Sequence, residues 1–282
     1  MKYGMNLLLW TGQASAADLP VVEQLKEIGY DGVELPMFSP DIQGFQRLGE
    51  RLDDLGLSRT AVTVCSAETN PISPDSAVRK KGVEAVKAIL DSCAAGGVES
   101  LVGPYHSALG EFSGQAPTED EWKWGVESVR EMAEYAGQVK VQLAIEPLNR
   151  FETYLLNTQA DAARFVREVA HPHCKILYDT FHVNIEEKSI PRAVAACSDV
   201  IGLVHISEND RSTPGAGAVN WQQTFDALHQ AGYDGWMVCE AFGRSLPDVA
   251  AATKIWRKMF DNEMQLARDA LAFMNREIDK RW

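Results

Sequence analysis

The chain has 282 residues, of which 45% are hydrophobic and 24% charged, the balance of a soluble globular protein with a large core and not of a disordered one. Forty acidic against 27 basic residues leave a formal net charge of −13; that repels a phosphate backbone and argues against nucleic acid as a partner. Five scattered cysteines (Cys65, Cys93, Cys174, Cys197, Cys239) form no CxxC pair, so neither a disulfide framework nor a zinc knuckle is indicated.

The first apolar stretch, Met5 to Trp10, is too short for a signal-peptide core and far too short to span a bilayer, so a cytoplasmic protein with no membrane partner is expected. Along the chain, apolar runs rich in β-branched residues alternate with amphipathic stretches, the sign of βα units and a parallel sheet. Eight strands are predicted, at 3–10, 32–37, 59–65, 98–103, 140–146, 175–179, 200–206 and 235–240. Helices are predicted at 19–29, 44–56, 76–97 and 118–138, where apolar positions recur at helical spacing and glycines stand near the C-terminal caps. The segments EIGYDGVEL and QAGYDGWMVCE are near copies, each reading as helix end, turn and strand. Residues 247–282 read as a helical tail over the outside or bottom of the fold. The pattern predicts one (β/α)8 TIM barrel occupying 1–282 as a single domain, with its longest loops after strands one, three, four, six and seven.

Four strands in the second half each lead into a residue able to bind a metal: Glu146, Asp179, His205 and Glu240. Barrel chemistry sits at the C-terminal ends of the strands. A bare carboxylate or imidazole there is costly to desolvate unless something pairs with it. Any one of them alone could be a carboxylate satisfied by backbone N–H groups; four at matching strand ends point to one divalent cation. The mixed oxygen and nitrogen set without thiolate suits Mn²⁺ first, then Mg²⁺ or Co²⁺.

The same loops carry Glu152, His182 and Arg211. Their plain readings are a solvated carboxylate, a core histidine and a surface cation, but His182 follows Asp179 by one turn and Arg211 offers a planar set of donors suited to sugar oxygens. His106 either lines the pocket as a substrate contact or bonds to backbone. Glu34, at the end of the second strand, either enters the site or braces it from behind. Cys239 alternates with Glu240 and faces the other way. Trp10 and Trp122 read as packed aromatics more readily than as a sugar platform. The glycine-rich PGAGAVNW (214–221) lacks the strand-to-helix setting and lysine of a phosphate loop.

The segments IEPLNRFETYLLNT, LYDTFHVNIEE, VHISENDRSTPGAG and YDGWMVCEAF resemble those of the D-tagatose 3-epimerase and D-psicose (allulose) 3-epimerase family of xylose-isomerase-like TIM barrels. The resemblance is most specific over residues 144–242. It implies a metal bound by Glu146, Asp179, His205 and Glu240, with Glu146 and Glu240 doubling as acid and base. It also implies that Glu152, His182 and Arg211 hold the O1–O3 end of a ketose. Three points depart from the pattern: Asn6, Leu7 and Leu8 stand where relatives carry an aromatic residue, the fourth-strand loop reads GPYHSALGEF, and CEAF replaces a Glu-Pro pair. The expected reaction inverts C3 of a free ketose through an enediolate, since no Lys/Arg cluster offers a phosphate clamp. An aldose–ketose or hydroxypyruvate-type isomerase, an inosose-type dehydratase and a non-catalytic sugar-binding barrel are the rivals. An endonuclease-IV-like repair enzyme would need a histidine-rich metal cluster and a basic groove. A homo-oligomer, dimer or tetramer, is compatible with the sequence, which does not itself report oligomeric state.

Overall fold

A computed structural model describes residues 1–282, and in it the eight apolar runs form eight parallel strands. They are β1 (Lys2–Asn6), β2 (Gly32–Pro36), β3 (Ser58–Val62), β4 (Ser100–Gly103), β5 (Gln142–Ile145), β6 (Cys174–Asp179), β7 (Ile201–Ile206) and β8 (Trp236–Cys239). Each pairs with the next, and β8 returns to β1 from Lys2↔Trp236 to Met5↔Cys239. The barrel is therefore closed and leaves no unpaired edge.

Ten α-helices surround it: α1 (Leu19–Ile28), α2 (Ile42–Asp54), α3 (Ser76–Ala95), α4 (Glu119–Val139), α5 (Gln159–Val169), α6 (Thr180–Glu186), α7 (Ile190–Cys197), α8 (Trp221–Gln230), α9 (Pro247–Thr253) and α10 (Glu263–Asp279). Local chemistry sets several boundaries. Thr118 and Glu121 form a reciprocal capping box at the start of α4, and Asp41 accepts from the Gly44 N–H at the start of α2. The near-copied turns behave alike: Gly29 and Gly232 take φ values of 112° and 69°, a region that favours glycine. Tyr30 and Tyr233 then turn inward and donate to the Ala267 and Trp236 carbonyls.

Side-chain alternation divides the core. One apolar cluster takes Val62, Val102, Ala144, Leu177, Leu203 and Val238, one from each of β3 to β8, and these point into the barrel. Their neighbours, such as Ala61, Leu101, Leu143, Ile176, Val204 and Cys239, belong to the larger core beneath the helices. Two residues beyond an inward position is inward again. Ala144, Leu177, Leu203 and Val238 are followed at that interval by Glu146, Asp179, His205 and Glu240.

Three features differ from the sequence expectation. The first strand ends at Asn6, and Leu7–Leu9 form a 3₁₀ turn capped by the Asn6 side chain. The chain enters α6 directly after β6, while the segment 146–158 after β5 is a long loop instead. The last stretch is not one external tail: α10 packs on α1 and β8, but α9 lies at the barrel mouth, where Asp248, Val249, Ala252 and Thr253 line a cavity.

Candidate active site

Glu146, Asp179, His205 and Glu240 are all buried, and each offers a ligand atom within 4.8 Å of those of the others. Their placement follows from strand register as well as alternation. His205 stands directly across from Asp179 on β6 and Val238 on β8. Asp179 also caps α6: its Oδ1 accepts from the Phe181 N–H at 2.7 Å, leaving Oδ2 for the cavity. One carboxylate thus has its orientation fixed by a helix start.

The imidazole of His205 is completely buried. Its Nε2 lies 2.8 Å from Glu34 Oε1, whereas its Nδ1 is buried with no hydrogen-bond partner. That nitrogen is 3.5 Å from Glu240 Oε1 and 3.8 Å from Asp179 Oδ2. A buried polar atom without a partner is rare, and here it stands beside three carboxylates. Three carboxylates gathered beside one arginine in a water-poor place are costly to ionise together. The donor set and the orphaned nitrogen fit one divalent cation, and the cluster could bind one such ion.

Charge and burial shift these groups in opposite directions. Burial and the nearby Glu240 carboxylate push Glu146 well above the usual carboxylate range. Against the same push from burial, the Arg211 guanidinium holds Asp179 well below it. Burial works against a charged His205 ring, yet Glu34 and Glu240 raise it well above the ordinary histidine value. Two carboxylates forced apart in one cavity are characteristic of sites that move protons.

Arg211 Nη1 donates to Asp179 Oδ2 at 2.8 Å, to Glu240 Oε2 at 2.5 Å and to Ser207 Oγ at 3.2 Å. The guanidinium lies 3.8 Å from the Phe181 ring centroid and 5.0 Å from that of Phe242, so two aromatic faces hold it in place. Its backbone takes φ 63°, an uncommon conformation for a residue with a side chain, of the kind that clusters at functional sites. Glu208 shapes this loop. Its carboxylate accepts from the N–H groups of Asn209, Gly215 and Val219 and from the Trp221 indole.

His182 is buried and neutral, burial pushing it down to about 3. The Asn149 backbone N–H donates to its Nδ1 at 2.9 Å. Its Nε2 lies 2.9 Å from Arg211 Nη2 and 3.6 Å from Glu146 Oε1. Glu152 is half-buried, accepts from Asn149 Nδ2 at 2.7 Å, and is raised by burial. Glu146, Glu152, His182, Arg211 and Glu240 all line a cavity of about 410 Å³.

His106 does not line that cavity. Its ring is buried with Nε2 3.0 Å from the Glu146 carbonyl, the backbone role of the two that its sequence context allowed. Trp122 is also remote from the site, its indole donating to Glu168 and its ring covered by Arg164. Cys239 faces the helices, as alternation requires. Glu34 stands behind His205. Spacing did not point to Phe181, Phe242 or Glu208, or to the place of α9 at the mouth, because no spacing rule shows which side chains fold back over a cavity.

A model of the xylose isomerase-like TIM barrel family matches residues 22–277. The chain belongs to this family. Among similar proteins, the D-psicose 3-epimerase of Ruminiclostridium cellulolyticum is 34% identical over 95% of this chain and 96% of its own length. A solved L-ribulose 3-epimerase structure superposes with a TM-score of 0.93 at 29% identity, covering 99% of this chain and 95% of that one. The D-allulose 3-epimerase of Methylomonas sp., solved in complex with D-allulose, gives 0.91 at 30% identity, covering 100% and 97%. The likeness to sugar 3-epimerases seen in residues 144–242 is borne out across the whole chain. No helix is long and apolar enough to cross a membrane.

Proposed function

We propose that this protein is a metal-dependent epimerase that inverts C3 of a free ketose. The observation that carries the reading is the convergence of Glu146 from the end of β5 and Glu240 from the end of β8 on one cavity with Asp179, His205, Arg211 and His182. A divalent cation held by Glu146, Asp179, His205 and Glu240 would polarise the ketone and stabilise the charge that develops when C3 loses its proton. One of the two glutamates takes that proton, and the other supplies one to the opposite face. The configuration of the incoming sugar decides which acts as base.

Arg211 is a donor suited to substrate oxygens near the reacting carbon, His182 adds a ring nitrogen beside it, and Glu152 is an acceptor for a hydroxyl. Arg211 is the only lysine or arginine among the cavity residues, and Asp179 and Glu240 already engage it. That supports an uncharged sugar over a sugar phosphate. Mn²⁺ is the proposed ion, on the oxygen-rich set with one imidazole. The five unpaired, buried cysteines suit a cytoplasmic setting.

The test is incubation of the full chain with Mn²⁺ and D-fructose, D-tagatose or L-ribulose in D₂O, followed by chromatography and NMR. Deuterium at C3 together with the C3 epimer is the expected result. Deuterium at C1 without C3 exchange would assign an aldose–ketose isomerase instead.

A further inference from the structure

Behind the four clustered side chains, a second layer of polar groups spans the barrel. Register places Glu34 directly across from Asn6 on β1 and Thr60 on β3, and alternation turns all three inward. Glu34 Oε1 accepts from Asn6 Nδ2 at 2.8 Å and lies 2.8 Å from His205 Nε2, while Oε2 accepts from Thr60 Oγ1 at 2.8 Å. Asn6 Nδ2 also reaches Glu240 Oε1 at 3.2 Å, and Asn6 Oδ1 accepts from the Leu8 N–H. Every member of this network is fully buried apart from Glu240, which is 4% exposed.

An acceptor-only carboxylate at 2.8 Å fixes the proton of His205 on Nε2, and the other ring nitrogen is the one left without a partner. We infer that Glu34 is a positioning residue for cation binding: it holds the His205 ring as the Nε2–H tautomer, turns the Nδ1 lone pair toward Asp179 and Glu240, and through Asn6 steers the Glu240 carboxylate. This rests on the cation reading of the four-residue cluster. A carboxylate accepting from a ligating imidazole both orients the ring and makes it a stronger donor. Thr60 and Asn6 supply the remaining donors, so the buried charge of Glu34 is hydrogen-bonded on both oxygens.

The test compares wild type with Glu34→Gln by calorimetric titration of the full chain with Mn²⁺ alone. The amide is isosteric, and its oxygen can still accept from His205 and Asn6, while the Thr60 hydroxyl can rotate to accept from the new NH₂. Wild type is expected to take up one Mn²⁺ per chain, and Glu34→Gln to bind it about 10–100-fold more weakly with an unchanged circular dichroism spectrum. Equal affinity in the two folded proteins would overturn the inference while leaving the cation reading intact. No uptake by wild type would overturn the cation reading itself. Should Glu34→Gln not fold, ¹⁵N-imidazole NMR of wild type with Mg²⁺ decides, the His205 signals being those lost in His205→Gln. An Nε2–H tautomer is expected, and an Nδ1–H tautomer refutes the role given to Glu34.

Discussion

Replacing Glu208 by Gln tests whether a side chain outside the reaction centre builds the loop that presents Arg211. The carboxylate accepts four hydrogen bonds of 2.9–3.0 Å, two on each oxygen. A glutamine oxygen can keep two of them, but its NH₂ then faces two N–H donors and both lose their acceptor. Each buried donor left unpaired costs about 1–3 kcal/mol, so the substitution should cost about 2–6 kcal/mol. Gly217 packs close against this carboxylate, a Cβ there lying 2.6 Å from Glu208 Cδ. At about 2–4 °C per kcal/mol for a large domain, the unfolding midpoint should fall by about 4–24 °C. Arg211 hangs on this loop, its N–H donating to the Glu208 carbonyl at 3.0 Å, so kcat/KM for the best ketose should fall with the midpoint. Differential scanning calorimetry with Mn²⁺ present, alongside a ketose assay, makes the measurement. A midpoint within about 1 °C of wild type would refute the assigned part of Glu208, because the lost hydrogen bonds could not then be holding the loop.

Other substitutions probe the chemistry directly. Glu240→Gln is expected to lower deuterium exchange at C3 by about 10²–10⁴-fold, read by NMR in D₂O; wild-type exchange would remove Glu240 from the proton-transfer pair. In Arg211→Lys the planar fork and its stacking between Phe181 and Phe242 are lost. Steady-state kinetics should show kcat/KM reduced about 10–100-fold, mostly as raised KM, and unchanged constants would contradict a substrate contact. Burial pushes the thiols of Cys65, Cys174 and Cys197 up to about 12, and those of Cys93 and Cys239 upward as well. Since the thiolate is the reactive form, a thiol reagent at pH 8 should modify none rapidly in the folded chain and all five in denaturant. A fast-reacting thiol under native conditions would contradict the burial of that cysteine.

The barrel and its four clustered side chains were legible because parallel strands covered on both faces are continuous apolar runs, against which a terminal Glu146, Asp179, His205 or Glu240 stands out. Alternation also oriented Cys239 correctly. What could not be read depended on contacts across the fold. Glu34 was visible as a charged residue at a strand end, but its hydrogen bonds to Asn6 and Thr60 arise from a register set by three separate strands. The stacking of Arg211 between Phe181 and Phe242 joins segments 30 residues apart or more, and nothing local encodes it. Nothing in the spacing of SENDRS sets Glu208 apart from its polar neighbours, yet it is fully buried. The His106 segment allowed two orientations, and packing against the Glu146 backbone selected one.

The short helix α9 has a consequence for how selectivity could change. The four clustered side chains are carried by strand ends, where any shift would disturb closure of the barrel. The wall formed by Asp248, Val249, Ala252 and Thr253 belongs to a seven-residue element added after the last strand. Exchanging those side chains would give the cavity a different far boundary while the reacting groups kept their scaffold, so preference among sugars can drift independently of the chemistry performed on them.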